Sequence, residues 1–269
     1  MCGPSFASDA PLLALTAMPG LEPIEHACCG HGPPIPPRIR HPGGQVLDRH
    51  RHGGAFAALL LAGSYVEAGD TGRHRVQAGD VIIHQAWESH IDRFHPRGAE
   101  VLTLPLAELG PVPALGRVAD VDAIVRLAEH DRVAAAGLLL TRLVAVSAPP
   151  EDWPDLLAGD LLADPGLSIG DWAQARQLHP SSIARGFRQQ FGITPAGFRF
   201  NARTHNALRD IRGSHDTLSG IAAKHGFADQ AHMTRATRMI TGLPPGRLRP
   251  SRPDHACGAA RGADGPCTH

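Results

Sequence analysis

The stretch Ser168–Arg249 writes one supersecondary unit twice, and this repeat constrains the fold more than any other feature of the chain. Trp172 and Ala173 match Ile221 and Ala222 at an offset of 49 residues. After a one-residue insertion, Ile183, Arg185, Arg188, Gly192 and Pro195 match Met233, Arg235, Arg238, Gly242 and Pro245 at an offset of 50. Two copies are too few to stack into a solenoid; they suit tandem helix-turn-helix modules. Each opens on a capping residue, Ser168 with Asp171 three positions on, and Thr217 in the second copy. A short apolar helix follows, its Ala173 or Ala222 small enough for two helices to cross closely. Gly226-Phe227 makes the tight turn of copy two, Gly accepting positive φ. Copy one has Gln177-Leu178 there, so that turn is expected to be strained or differently shaped. His179-Pro180 and Ala228-Asp229 start the second helices, Pro180 suiting a first helical turn. Ile183, Phe187 and Met233 are the expected inward anchors.

The outer faces of these second helices carry the candidate DNA-reading residues. They are Ser181, Ser182, Ala184, Arg185 and Arg188 in copy one, and Gln230, Ala231, His232, Thr234, Arg235 and Arg238 in copy two. Arg185 and Arg235 suit bidentate contact with guanine or a phosphate clamp, and each also has the option of an ion pair inside its own module. Gln230 suits adenine; Ser181, Ser182 and Thr234 suit base edges or backbone; Arg188 and Arg238 suit phosphates. Charge agrees. From Gly166 to Arg252 there are 13 Lys/Arg against 4 Asp/Glu, a net of +9, whereas the whole chain is neutral and the remainder carries −9. One strongly basic third polarises the chain toward an anionic partner, here double-stranded DNA through its major groove.

The run Ile221-Ala-Ala-Lys-His-Gly-Phe-Ala-Asp-Gln-Ala-His-Met-Thr-Arg-Ala-Thr-Arg, followed by Gly242-Leu-Pro-Pro245, resembles the AraC/XylS family of bacterial transcription regulators. Met233 and Thr237 stand where that pattern has Phe, so Thr237 is expected either to loosen the second module or to find a backbone partner. The resemblance implies a linking helix at about Ala196–Arg212. It also implies two recognition helices in successive major-groove segments, contacts about one turn or roughly 34 Å apart.

The rest of the chain predicts a second domain. Ala57–Ala62, Val81–Ile83 and Val101–Leu104 are short apolar runs separated by Gly-Ser, Ala-Gly-Asp and Arg-Gly turn signals, so residues 43–116 read as all-β. The order Gly44-x5-His50-x-His52-x10-Gly63, then Gly79-Asp-Val-Ile-Ile and His90, resembles the cupin barrel. Phe56 stands near the motif's glutamate, and Gln85 and Trp87 replace its Pro and Gly. AraC-type regulators often carry such a barrel as a sensing domain. On a strand His50 and His52 share one face. With His90 they can supply three nitrogens to a zinc-like divalent metal, line an organic-effector pocket, or have no ligand role. His84 and Asp92 are placed near the same pocket. No cofactor is required by the reading.

The expected architecture is therefore two-domain. An N-terminal all-β cupin-like barrel (43–116) is followed by linking helices (117–148), which in this family commonly dimerise and otherwise pack on their own barrel. A C-terminal all-α domain (149–252) has two helix-turn-helix modules joined by a long helix, with a first helix at Trp153–Ala163. Residues 1–42, rich in Pro and Gly, read as a flexible segment and 253–269 as a disordered tail. No run reaches the roughly 20 apolar residues needed to span a bilayer. Leu12–Met18 lacks a preceding basic residue, so cytoplasmic localisation is expected. The five cysteines, Cys2, Cys28, Cys29, Cys257 and Cys267, are all in these flanks and read as reduced, with adjacent Cys28-Cys29 able to bind a soft metal or sense oxidants. The function expected is a non-enzymatic, effector-responsive transcription regulator, a homodimer with RNA polymerase as a further partner. The alternative is a metal-dependent cupin enzyme with an accessory DNA-binding domain.

Overall fold

The computed structural model describes residues 36–107, 112–147 and 149–249. The five cysteines and the expected C-terminal tail lie outside these residues. Eight strands form one antiparallel sheet: β1 (Arg38–His41), β2 (Val46–Arg51), β3 (Phe56–Gly69), β4 (Gly72–Gln77), β5 (Asp80–His84), β6 (Ser89–Pro105), β7 (Leu115–Arg117) and β8 (Val144–Ala145). The main order is β1-β6-β3-β5-β7-β8, with β2 added to β6 and β4 to β3. Long strands β3 and β6 serve both halves of the sheet. The first half of β3 lies between β5 and the end of β6; its second half lies between β4 and the start of β6. The register shifts near Gly63, which has φ +79° and whose missing Cβ leaves room for the Gly98 carbonyl. Among the described residues no ladder joins β1 to β8, so hydrogen bonding does not close the expected barrel.

Two boundaries differ from expectation. Residues 38–41, assigned to a flexible segment, form β1 on the edge of β6, where Arg38 and Arg40 pair with Glu100 and His41 stacks on Phe94. A Pro-rich composition concealed a four-residue strand that only its partner makes stable. The sheet also continues past residue 116. Strands β7 and β8 pair with each other, and the helices expected to link domains, α1 (Val121–Ala128) and α2 (Arg132–Arg142), lie in the connection between them.

Strand alternation explains the layering. Ala57 and Leu59 of β3, with Val81, Ile83, Leu102 and Leu104, face Ile124, Ala135, Ala136 and Leu139 of α1 and α2. Phe56, Ala58 and Leu60 point the other way, into a core shared with Tyr65, Val76, Ile82 and Phe94. The linking helices thus cover their own sheet, as their apolar faces require.

The remaining helices are α3 (Trp153–Ala163), α4 (Ile169–Ala175), α5 (Pro180–Phe191), α6 (Pro195–Gly213), α7 (Leu218–Lys224), α8 (Gln230–Thr241) and α9 (Pro245–Leu248). The repeat is realised in matched pairs. Helices α4 and α7 each have 7 residues, α5 and α8 each have 12. Ser168 Oγ accepts from the Asp171 amide and Thr217 Oγ1 from the Gly220 amide, the two expected caps. Gly192 and Gly242 end α5 and α8 in left-handed conformation. At the module turns Gln177 has φ +54° where Gly226 has +68°, so the first turn keeps the shape of the second and Gln bears the strain. Gln177→Gly is therefore expected to stabilise by about 0.5–1 kcal/mol, the left-handed penalty less the added chain entropy. A lower urea midpoint in the variant would show that the Gln177 side chain holds the turn. Thr237 is fully buried and its Oγ1 has no partner among the described residues, a cost of about 1–3 kcal/mol within the second module.

Candidate nucleic-acid interface and histidine cluster

The outer faces of α5 and α8 are set by burial of their opposite sides. Ile183, Phe187 and Phe191 of α5 enter one core with Trp172, Ala173, Leu157 and Phe198. Met233 and Ala236 of α8 enter another with Ile221, Ala222, Phe227, Ala207 and Ile211. What remains outside is Ser181, Ala184, Arg185 and Arg188 on α5 and Gln230, Ala231, Arg235 and Arg238 on α8, all exposed, with Ser182, His232 and Thr234 half-buried. Arg185 and Arg235 occupy matched positions, and among the described residues neither forms an ion pair or hydrogen bond. The intramodule ion pair is not formed. Two candidates are partly engaged within the fold. Ser181 Oγ lies 2.7 Å from Nδ1 of the capping His179, and the His232 ring sits edge-on to Phe227. Helix α6, close to the expected Ala196–Arg212, packs against both modules and holds them together.

The histidines converge inside the sheet. His50 and His90 are direct cross-strand partners on β2 and β6, and His52 follows immediately after β2. Ring centroids lie 4.4 Å apart for His50–His90, 4.9 Å for His50–His52 and 5.4 Å for His52–His90. One nitrogen from each can be chosen so that all three lie within 4.8 Å of one another. The predicted trio is therefore assembled. His84, at the end of β5, joins it with its ring 4.4 Å from His90. Asp92 also lies there, 3.6 Å from His90 Nε2. Burial lowers the pKa of His84 and His90 well below the usual range and that of His52 to about 4, so the rings are neutral and carry lone pairs at pH 7. Burial raises Asp92 to about 7 against the pull of Arg93. The Asp48 carbonyl, 2.8 Å from His50 Nδ1, can only accept a hydrogen bond, so it holds the proton on Nδ1 and leaves Nε2 with the lone pair.

Sequence reasoning missed the other face of these same strands. His50, His90 and Asp92 point inward, so Arg49, Ser89, Ile91 and Arg93 point outward, and they meet the helices. Arg49 pairs with Asp70, and its Nη1 donates to the Phe191 carbonyl at 2.7 Å, at the end of α5. Arg93 donates to the Gln189 and Gln190 carbonyls of the same turn. Arg73 bonds Gln190 Oε1 at 2.8 Å and Asp155 on α3 through two contacts. Cations at the carbonyl end of a helix are favoured by its dipole. Asp70 also accepts from the Ser89 amide and hydroxyl, from Asn201 Nδ2 at 3.0 Å and from His205 Nε2 at 3.2 Å, the last two on α6. Burial would raise the Asp70 pKa, but His205, Arg49 and Asn201 outweigh it and hold the carboxyl below its usual range. The alternation Arg49-His50-Arg51-His52 was the available signal: if the histidines face inward, the arginines face outward.

This fold and this exposed arginine pair define a protein built on twin helix-turn-helix modules beside an antiparallel sheet. Residues 172–251 match the family of the helix-turn-helix domain. The Arabinose operon regulatory protein of Escherichia coli (strain K12) is 31% identical over 119 residues, 42% of this chain and 41% of that protein. An HTH-type transcriptional regulator of Mycobacterium tuberculosis is 32% identical over 81 residues, 30% of this chain and 31% of that protein. The matches thus span less than half the length of these curated relatives. The solved structure of ToxT from Vibrio cholerae with unsaturated fatty acid bound aligns over 78% of this chain and 93% of its own, at 9% identity and a TM-score of 0.37.

Proposed function

We propose that the protein is a sequence-specific DNA-binding transcription regulator whose cupin-like sheet region senses a small molecule. The carrying observation is the matched pair Arg185 and Arg235, exposed and without partners among the described residues, on equivalent helices of a region with net charge +9. Within this reading α5 and α8 enter successive major-groove segments on one face of the DNA. Arg188 and Arg238 hold phosphates, and the remaining outward residues read base edges. The histidine-lined interior formed by His50, His52 and His90 takes the effector. Occupancy there shifts β2 and β6, and the outward arginines of those strands carry the change to α5 and α6. A ligand biases two states only by its different affinity for each. Two copies on one operator, in the cytoplasm, with RNA polymerase as a neighbour at the promoter, complete the reading. Among the described residues no helix is long and apolar enough to cross a membrane. The enzyme alternative draws no support from the relatives, which are regulators by name.

Footprinting of the purified protein on sheared DNA of its own host, at fixed salt, tests the proposal. The expected motif has two half-elements about one turn, roughly 34 Å, apart. Arg185→Ala and Arg235→Ala are each expected to weaken specific binding by about 1–3 kcal/mol and to relax preference in one half-element. Diffuse binding with and without host metabolite extracts, or full affinity in both variants, would sink it.

A further inference from the structure

We propose that Glu67, His84 and His90 form a binding site for a first-row divalent metal ion of the zinc class, in which Glu67 supplies the carboxylate that position 56 lacks. The site shares His90 with the histidine-lined interior proposed above, and it depends on the sensing reading only for the link to DNA.

Ligand-capable atoms of these three residues lie within 4.8 Å of one another, and all three residues are buried. Glu67 is 2% exposed, and among the described residues its only basic ion-pair partner is His84 Nε2 at 3.6 Å, with no Lys or Arg paired to it. A carboxylate enclosed without a counter-charge is costly, and a bound dication removes that cost. His90 Nδ1 is buried with no hydrogen-bond partner among the described residues. Buried polar atoms are nearly always partnered, so this one points to a missing group.

Phe56 has a role in this arrangement. It is the cross-strand partner of His84, and its ring stacks on the His84 imidazole at 4.3 Å and 21°. The residue that removes a carboxylate from one end of β3 thus orients a histidine toward the carboxylate at the other end. Two imidazoles and one carboxylate form a ligand set that zinc uses with an open position. It differs from the three-imidazole set His50, His52 and His90 in carrying negative charge for the dication.

The full chain, stripped with chelator, is titrated with Co²⁺ while visible absorbance is followed, and the Zn²⁺-loaded protein is examined by X-ray absorption. One equivalent is expected to bind. Glu67→Gln and His84→Gln are expected to weaken binding at least about 10-fold, the scale of losing even a residue that only orients a ligand. His52→Gln is expected to retain it. Should the buried variants fail to fold, the wild-type absorption spectrum decides: two imidazoles and a carboxylate support the site, three imidazoles overturn it. No binding by the wild type, or loss in His52→Gln with retention in Glu67→Gln, also overturns it. DNA footprints are scored separately, so a metal-loaded protein without a footprint sinks the regulator reading and leaves the metal site standing.

Discussion

Asp70→Ala is expected to cost about 3–5 kcal/mol of folding stability, because it removes one partner of a buried ion pair and strands the other. The Asp70 side chain is 2% exposed and that of Arg49 is 12% exposed. The substitution leaves Arg49 and Asn201 facing an empty socket, and releases Ser89 and His205 as well. The Asp70 carboxyl sits below its usual pKa, so the network stabilises the ionised form. With the folded pKa lower than the unfolded one, this stability is complete above about pH 4, the ordinary Asp range, and is lost as pH falls through the folded value. Urea unfolding at pH 7 reads the loss, and an Arg49→Ala/Asp70→Ala double-mutant cycle reads the coupling. Additive effects and a loss below about 1 kcal/mol would mean that the junction is open to solvent, since that is the scale of an exposed pair.

The second large effect is expected at Phe187, where truncation to Ala should cost about 3–5 kcal/mol through lost burial and the cavity left behind. Phe187 is fully buried, stacked on Phe191 at 4.4 Å and edge-on to Phe198 at 5.5 Å. Its core joins α3, α4, α5 and α6 to Ala68 and Ile91 of the sheet. The loss should therefore appear in both halves: Trp87 reports from the sheet region, and Trp153 and Trp172 from the helices. Arg188→Ala, one residue along but on the outer face, is the control and should stay within about 0.5 kcal/mol. If Phe187→Ala shifted only the helical signal, the shared core would not couple the two regions.

The helix-turn-helix modules were legible in the sequence because their determinants are local. A cap, an apolar pair, a turn residue and a C-terminal glycine act within one or two helical turns, and their repetition at offsets of 49 and 50 supplied an internal check. Helix α3 is found at the expected Trp153–Ala163 and the long helix within one residue of expectation at each end. The gathering of His50, His52 and His90 was also legible, from period-2 spacing and a motif order. Strand β1, the β7–β8 pair enclosing α1 and α2, and the unclosed sheet were not. Each depends on which distant edge a short segment meets, and a four-residue strand carries too little pattern to announce its partner.

Local sequence by itself determined the placement of α5 and α8, the outward placement of Arg185 and Arg235, and the shared strand face of His50 and His52. Tertiary structure alone decided that a carboxylate oxygen of Glu67 lies within 4.8 Å of ring nitrogens of His84 and His90, and that Asp70 joins Arg49 to Asn201 and His205. The reason is physical. Helix caps and strand alternation are set by residues a few positions apart, whereas Asp70 and Asn201 are 131 positions apart and meet only through packing.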